Sequence, residues 1–451
     1  MSLNIDFYLM GIFSNQKLCL GVAFAALFGV TLTGSYLRTR SQSISYAQSQ
    51  LQTKNKNQLK NQNSVTETKT SLQLAANYQN SLTVNPVSTI NSNQQEKDTA
   101  QQKSLSKTYQ VIDELKRNKF KINGDRVFRT GKLPRTKVDL NQSDLLTVLL
   151  NTRKYFQEHS DADPDVQRTG ILGTQGVTIP DVLKTLDFMI ATLRQDIANG
   201  RPTRLQDPNF INKHFRVIKW SAYNPKNLRR KNLRITKYAV FSHSGSRRKT
   251  STYNTPIYSL KDELATDKFY KKYTKQQVLS GIYERGGKEF GKVEPLAYLT
   301  REGLEEALMQ GTILINFPDG SQAFFNVDRN NGIPYVKGLK RRAQKRYWYF
   351  RQVDAIKGYG HEINAKISVK PGVTFAGDVL NVGLGKIIVL EYNKGGRRRL
   401  KMGVLADTGG AFLPNLYQLD FLAGIFPNRQ KFNENNRRLP TYAKAYILVK
   451  K

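Results

Sequence analysis

The stretch Leu400–Gly424, LKMGVLADTGGAFLPNLYQLDFLAG, decides how the rest of the chain is read. It opens as a short apolar run, Val404-Leu405-Ala406, and stops on an acid, Asp407. Thr408 and the paired Gly409 and Gly410 follow, then a second acid, Asp420, set among Leu419, Phe421 and Leu422. Paired glycines after a strand mark a place where the backbone turns tightly or passes close to something. An acid flanked by bulky apolar residues is a candidate for a raised pKa, because desolvation disfavours the carboxylate. A carboxylic acid still protonated near neutrality is what a general acid requires. The plainer reading stands beside this one: Asp407 as a turn cap, Asp420 as a solvated residue at a strand end.

Working outward, the chain changes character near Phe215. From there the segments are short, β-branched and aromatic: RVIKW, RITKYAVF, TPIYSL, TILINF, QAFFNV, KIIVLEY and KAYILV. Turn signals such as Pro318-Asp319-Gly320 and Asn330-Asn331-Gly332 separate them. This pattern predicts an all-β half, one or two barrels. Before it, Lys107–Lys119, Asp144–His159 and Val182–Ile197 place apolar residues at helical spacing, with Pro180 opening the last. Residues 107–214 are therefore expected to form a helical amino-terminal region.

The first part of the chain reads as a leader and a tether. Leu18–Gly34 is apolar and uncharged, preceded by Lys17 and followed by Arg38 and Arg40. Residues 1–40 are expected to be a signal peptide or, without a clear cleavage site, an uncleaved membrane anchor. Residues 41–106 are rich in Gln, Asn, Ser, Thr and Lys, and too poor in large apolar residues to offset ordering; a disordered linker is expected. The folded part would then be exported and periplasmic, held to a membrane by its N-terminal segment.

The 451 residues carry 71 Lys+Arg against 35 Asp+Glu, a formal charge of +36. That favours a polyanionic partner: nucleic acid, anionic lipid or a wall polymer bearing carboxylates. The one cysteine, Cys19, excludes an intramolecular disulfide, and a cysteine nucleophile or cysteine metal site in the folded part. His159, His214, His243 and His361 lack metal-ligand spacing, and Gly383-Leu384-Gly385 opens a strand rather than a helix; no metal or cofactor is expected. Leu405-Ala406-Asp407-Thr408-Gly409 also resembles the aspartic-protease Asp-Thr-Gly, but a single-chain protease needs a second copy, and none exists.

Several segments together resemble the MltA-type lytic transglycosylases and the related 3D domain, named for three aspartates. DTGGAF followed by LYQLDFLAG is similar to the end of that domain, and its aspartates fall on Asp378, Asp407 and Asp420. The family continues Ala-Ile-Lys-Gly after the glycines, where this chain has Ala411-Phe412-Leu413-Pro414. Thr236 and Tyr238 match a Thr-Gly-Tyr-Tyr segment, with departures at Lys237 and Ala239. Gln310-Gly311-Thr312 resembles a Gln-Gly-Ser-Gly strand, and Asn331-Gly332-Ile333-Pro334-Tyr335 an Asn-Gly-x-x-Tyr turn. The segments occur in the family's order from Thr236 to Lys451.

The resemblance implies a mainly β fold: a double-psi β-barrel, residues 215–258 and 351–451, with a second small β domain, 259–350, inserted into it and a glycan groove between. It implies non-hydrolytic cleavage of the MurNAc–GlcNAc β-1,4 bond of peptidoglycan to 1,6-anhydro ends. Asp420 would be the catalytic acid, supported by Asp407, Asp378, Thr408, Gly409 and Gly410. Thr236, Tyr238, Gln310, Gly311, Asn331, Gly332 and Tyr335 would bind substrate. Partners would be peptidoglycan strands, the membrane and other cell-wall proteins, not nucleic acid. Two rivals stay open: a non-catalytic peptidoglycan binder of the same fold, and a basic nucleic-acid-binding module using runs such as Arg229-Arg230-Lys231 and Arg397-Arg398-Arg399. A reporter enzyme active only outside the cytoplasm, fused after Lys451, is expected to be active; activity of a cytoplasm-restricted reporter alone would refute export.

Overall fold

In the computed structural model, residues 107–113, 120–409, 412, 414–437 and 439–451 are described. The apolar run at Leu18–Gly34, the tether at 41–106 and the glycine Gly410 lie outside the described residues.

The amino-terminal region is mixed rather than helical. Strands β1 (Thr108–Gln110) and β2 (Lys121–Asn123) pair as a small antiparallel sheet, so the helix expected from Lys107 begins as a strand. Strands β3 (Phe128–Thr130) and β4 (Val138–Asp139) precede helices α1 (Gln142–His159), α2 (Ile179–Ala198) and α3 (Pro208–His214). Both long helices start on side-chain caps. Asn141 accepts the Asp144 N–H at the start of α1, and Thr178 and Asp181 form a reciprocal capping box at α2. Along α2, Val182, Leu186, Met189 and Leu193 recur every three or four residues and are buried.

Strands β5 (Phe215–Trp220) and β6 (Leu233–Ser246) begin the β half. After β6 the chain leaves for β7 (Thr255–Leu260), β8 (Val293–Leu299), helix α4 (Arg301–Ala307), β9 (Thr312–Asn316), β10 (Gln322–Asn330) and β11 (Trp348–Val353). It returns with β12 (Thr374–Ala376), the short helix α5 (Val379–Val382), β13 (Ile387–Lys394), β14 (Arg397–Asp407), β15 (Gln418–Phe426), helix α6 (Arg429–Asn436) and β16 (Tyr442–Lys450).

The returning strands close on themselves. β6 pairs with β15, β15 with β12, β12 with β14, β14 with β13, β13 with β16, and β16 again with β6. Two of these pairings, β12–β14 and β15–β6, are parallel. Closure removes the open edges that a sheet would otherwise present. β5 and β3 extend the sheet outward from β16, and β4 joins β14 beside Leu400 and Lys401. The amino-terminal region thus shares one core with the barrel: Leu149, Leu186 and Phe128 lie in the same buried cluster as Ile388, Leu405 and Ile447.

A second core belongs to the excursion between β6 and β12. It runs from Ile257 to Phe350 and is rich in aromatics, including Tyr283, Tyr347, Trp348 and Tyr349, with Tyr283 and Tyr349 hydroxyls 2.7 Å apart. The 14-residue strand β6 belongs to both parts. Its first half pairs with β15 in the barrel. Ser242–Ser244 pair with β9, and Gly245–Ser246 with β8, in the insert.

One buried group opposes this packing. Lys386, at the entry to β13, is 2 % exposed, and its ammonium has no hydrogen-bond partner among the described residues. Burial pulls its pKa down to about 7. An unfolded lysine titrates near 10.4. The folded state therefore carries the full cost of the buried charge below about pH 7, and the cost fades as pH rises toward 10. Lys386→Met is expected to stabilise the protein by on the order of 2 kcal/mol at pH 6 and by little at pH 10. Melting temperatures across that range check this; an equal gain at both ends would refute it.

Candidate functional site

The pairing registers line up the residues singled out by sequence. Ala376 on β12 is the partner of Asp407 on β14 and also of Asp420 on β15; Asp420 is in turn the partner of Thr236 on β6. One rung across four adjacent strands therefore reads Asp407, Ala376, Asp420, Thr236. Cross-strand partners share a face of the sheet, and strands lie about 4.8 Å apart. Two acids thus face the same side with only the methyl of Ala376 between them. Tyr238, two residues beyond Thr236, returns to that face.

The two acids are held differently. On Asp407, Oδ2 accepts the Tyr238 hydroxyl at 2.6 Å and Oδ1 accepts the Thr408 N–H at 2.7 Å. The Thr408 hydroxyl in turn donates to the Gly377 carbonyl at 2.8 Å, tying the end of β14 to the end of β12. Burial pushes the Asp407 pKa up to about 6, restrained by the Tyr238 and Thr408 donors and by the Lys366 charge. On Asp420, Oδ1 accepts Gln418 Nε2 at 3.1 Å, and Oδ2 has no hydrogen-bond partner among the described residues. Burial pushes its pKa up to about 7, with the Asp407 charge adding to the rise and Gln418, Arg234 and Lys237 opposing it. Asp420 is nonetheless only partly buried, which leaves that oxygen available to a ligand.

Asp378 does a different job. It is fully buried and caps α5, accepting the Asn381 N–H at 3.0 Å and Asn381 Nδ2 at 2.8 Å. Its Oδ2 also accepts the Asn415 N–H at 2.8 Å. It fastens the turn after β12 to the segment leading into β15. Its pKa too is raised to about 7 by burial, yet no ligand can approach it.

The structural neighbours are MltA lytic transglycosylases. A membrane-bound lytic murein transglycosylase from Agrobacterium tumefaciens is 16 % identical over 70 % of this chain and 98 % of its own, with a TM-score of 0.43. E. coli MltA with bound chitohexaose is 17 % identical over 72 % of this chain and 94 % of its own, TM-score 0.44. MltA from Neisseria gonorrhoeae is 14 % identical over 72 % and 97 %, TM-score 0.45. No family model and no curated protein matches the chain.

The remaining sequence candidates divide. Thr236 stands on the rung and accepts Gln418 Nε2 at 2.9 Å, so one amide joins Thr236 to Asp420. Gln310 spends its amide on the neighbouring strand: its oxygen accepts the Phe241 N–H at 2.9 Å, and its nitrogen lies 3.1 Å from His243 Nε2. Gly311, exposed, accepts the Val327 N–H through its carbonyl. Asn331 is buried in the insert, where its amide donates to the Tyr273 and Lys345 carbonyls and accepts the Tyr347 N–H. Gly332 follows with φ of +74°, and Tyr335 lies under the Arg346 guanidinium, 5.3 Å from its ring centre. Asn331 and Gly332 shape a turn of the insert, and none of these three bonds to the aspartates. Lys237, facing away from the rung, donates to the Pro440 carbonyl at 2.7 Å. Gln418 and Ala376 were not anticipated; the alternation that places Gln418 two residues before Asp420 was the available signal.

The raised pKa of Asp420 has a measurable consequence. Its folded value, about 7, lies above the unfolded value near 3.9, so its contribution to stability is full below pH 3.9 and lost as pH rises through 7. Asparagine cannot ionise. The melting temperature of Asp420→Asn relative to wild type is expected to rise between pH 4 and pH 8 and then level off. A difference that is flat across this range would show Asp420 to titrate normally.

Proposed function

We propose that the chain is a lytic transglycosylase that cleaves the MurNAc–GlcNAc β-1,4 bond of peptidoglycan without water. One observation carries the reading: Asp420 stands on a shared rung with one carboxyl oxygen open to a ligand, while its neighbour Asp407 is fully engaged by Tyr238 and Thr408. The sequence segments that resemble the MltA-type enzymes supply the substrate class. In finer detail we read the six closed strands as a double-psi β-barrel with the insert as its second domain, and the protein as exported and membrane-anchored through its N-terminal segment.

The chemistry suits a single acid. The Asp420 carboxyl donates its proton to the glycosidic oxygen as the bond from that oxygen to the MurNAc anomeric carbon breaks. The MurNAc 6-hydroxyl attacks the same carbon, and the Asp420 carboxylate takes the hydroxyl proton as the new bond forms. The acid is regenerated, and the product ends in a 1,6-anhydro ring. A conventional glycosidase needs a second carboxylate as nucleophile or as base for water. Here the nucleophile is already part of the substrate, so position replaces the second carboxylate. Asp407, with each oxygen engaged by a donor, is poorly placed to serve as that second group. It instead puts negative charge beside the sugar carbon, where positive charge develops.

Asp420→Asn keeps size and polarity but removes the transferable proton. It is expected to lower the release of 1,6-anhydromuropeptides from purified peptidoglycan by about a hundredfold or more. Wild-type activity is expected to fall as pH rises through about 7, where Asp420 loses its proton. Mass spectrometry of the products decides. Reducing ends would make the protein a hydrolase. Glycan binding without any release would make the site a non-catalytic groove. Full activity of Asp420→Asn would remove the assignment.

A further inference from the structure

The segment between β11 and β12 brings a cation to the rung from a part of the sequence with no motif. Its backbone pairs with itself and with the barrel. Gly358 N–H donates to the Ile367 carbonyl, Ile367 N–H to the Tyr359 carbonyl, and Tyr359 N–H to the Ala406 carbonyl, all within 2.9 Å. Ala406 immediately precedes Asp407. The approach is close: a Cβ on Gly358 would lie 2.5 Å from the Ala406 carbonyl oxygen and 3.4 Å from the Asp407 Cβ. Glycine is required there by contact, not by backbone angle. The same segment is anchored at its far side, where the Tyr359 hydroxyl donates to the buried Asp163 at 2.8 Å.

This docked segment carries Lys366. Its ammonium donates to Asn326 Oδ1 at 2.8 Å, and Asn326 Nδ2 donates to the Thr312 hydroxyl at 2.7 Å. Asn326 and Thr312 are paired residues of β10 and β9 in the insert, 3 % and 7 % exposed. A chain of hydrogen bonds thus runs from the insert to a lysine seated on the barrel. Lys366 makes no contact ion pair with Asp407, but the two opposite charges favour each other, while burial pulls the Lys366 pKa down to about 8, still above the range in which the aspartates titrate. Asp328 on β10 adds to the attraction, and Lys357 on the same segment opposes it.

We propose that Lys366 is a positioning residue of this site: its ammonium, held by Asn326 of the insert, keeps Asp407 ionised, and an ionised Asp407 keeps the proton on Asp420. The working form then has Asp407 charged and Asp420 protonated. The groups that set this balance are Tyr238, Thr408 and Lys366 around Asp407, and Gln418, Arg234 and Lys237 around Asp420. The burial-driven values, about 6 for Asp407 and about 7 for Asp420, agree with that order of ionisation. Two like charges separated by a single strand titrate as a coupled pair, so removing the cation on one side redistributes the single proton. The catalytic consequence rests on the lytic reading above; the charge balance itself does not.

The test compares the full-length wild type with Lys366→Met and Lys366→Arg. Activity is expected to follow a bell whose rising limb reports Asp407 and whose falling limb reports Asp420. In Lys366→Met the rising limb is expected to move up by about one pH unit, narrowing the bell and lowering its peak several-fold, with KM little changed. Lys366→Arg is expected to restore the limb. A uniform loss of kcat at every pH, or no recovery with arginine, would overturn the proposal. Should the wild type release no anhydro product, melting temperature against pH still decides. Because Asp407 would stay protonated to higher pH, the fall in stability of Lys366→Met is expected to extend about one pH unit beyond that of wild type. Parallel melting profiles would refute the charge coupling whatever the protein's activity.

Discussion

Strand β6 must satisfy two cores at once, and much of the architecture follows from that. Its first half lies in the closed barrel beside β15, and its last residues pair with β9 and β8 of the insert. A strand cannot bend freely between two sheets without losing ladder hydrogen bonds. The register with β15 accordingly breaks between Leu422 and Ile425, where Gly424 adopts φ of +158°. Before the break, β6 delivers Thr236 to the rung and Tyr238 to the same face. After it, β6 delivers Ser242–Ser244 to the insert. The seam between the cores is therefore set by one continuous piece of backbone, and the Gln310 amide braces it by accepting the Phe241 N–H.

The rung turns sheet geometry into chemistry. Asp407 and Asp420 sit on either side of one strand with a small residue between them, and the charge of Asp407 helps to raise the Asp420 pKa. A larger residue at Ala376 would fill the space between them. Their environments then push them apart in character. One accepts a donor on each oxygen and feels the charge of Lys366; the other keeps an oxygen unbonded. Separation of two nearby acids by environment is how acid and base roles are divided at many active sites.

The parts of the fold that sequence made legible were those governed by local pattern. The buried run Ile387–Leu390 reads as a fully covered strand and is one. The spacing through Val182–Ile197, with Pro180 at its start, reads as a helix and forms α2. Residues 107–113 misled, because a three-residue strand such as Thr108–Gln110 has too few residues to show a period, and only pairing with Lys121–Asn123 defines it. The merging of the amino-terminal region into the barrel core was equally hidden, since β3 and β4 are added by long-range pairing. At the site, strand pairing and one hydrogen bond bring Asp420, Asp407, Thr236 and Tyr238 together. Asn331, by contrast, looked like a sugar-binding amide and serves the insert's own backbone. Lys366 and Asn326 carried no motif at all; their partnership exists only because the segment around Tyr359 docks on Ala406.

A raised pKa alone would not have chosen among the three aspartates. Asp378 and Asp420 are both pushed to about 7 by burial. What separates them is the hydrogen-bond inventory and access. Asp378 accepts two backbone N–H groups and one amide and is sealed from solvent, so ionising it would strengthen bonds that already hold the α5 turn. Asp420 accepts one amide and is only partly buried, so its remaining oxygen is left free for a ligand. A general acid needs both conditions: a proton retained at working pH and an open path for its delivery.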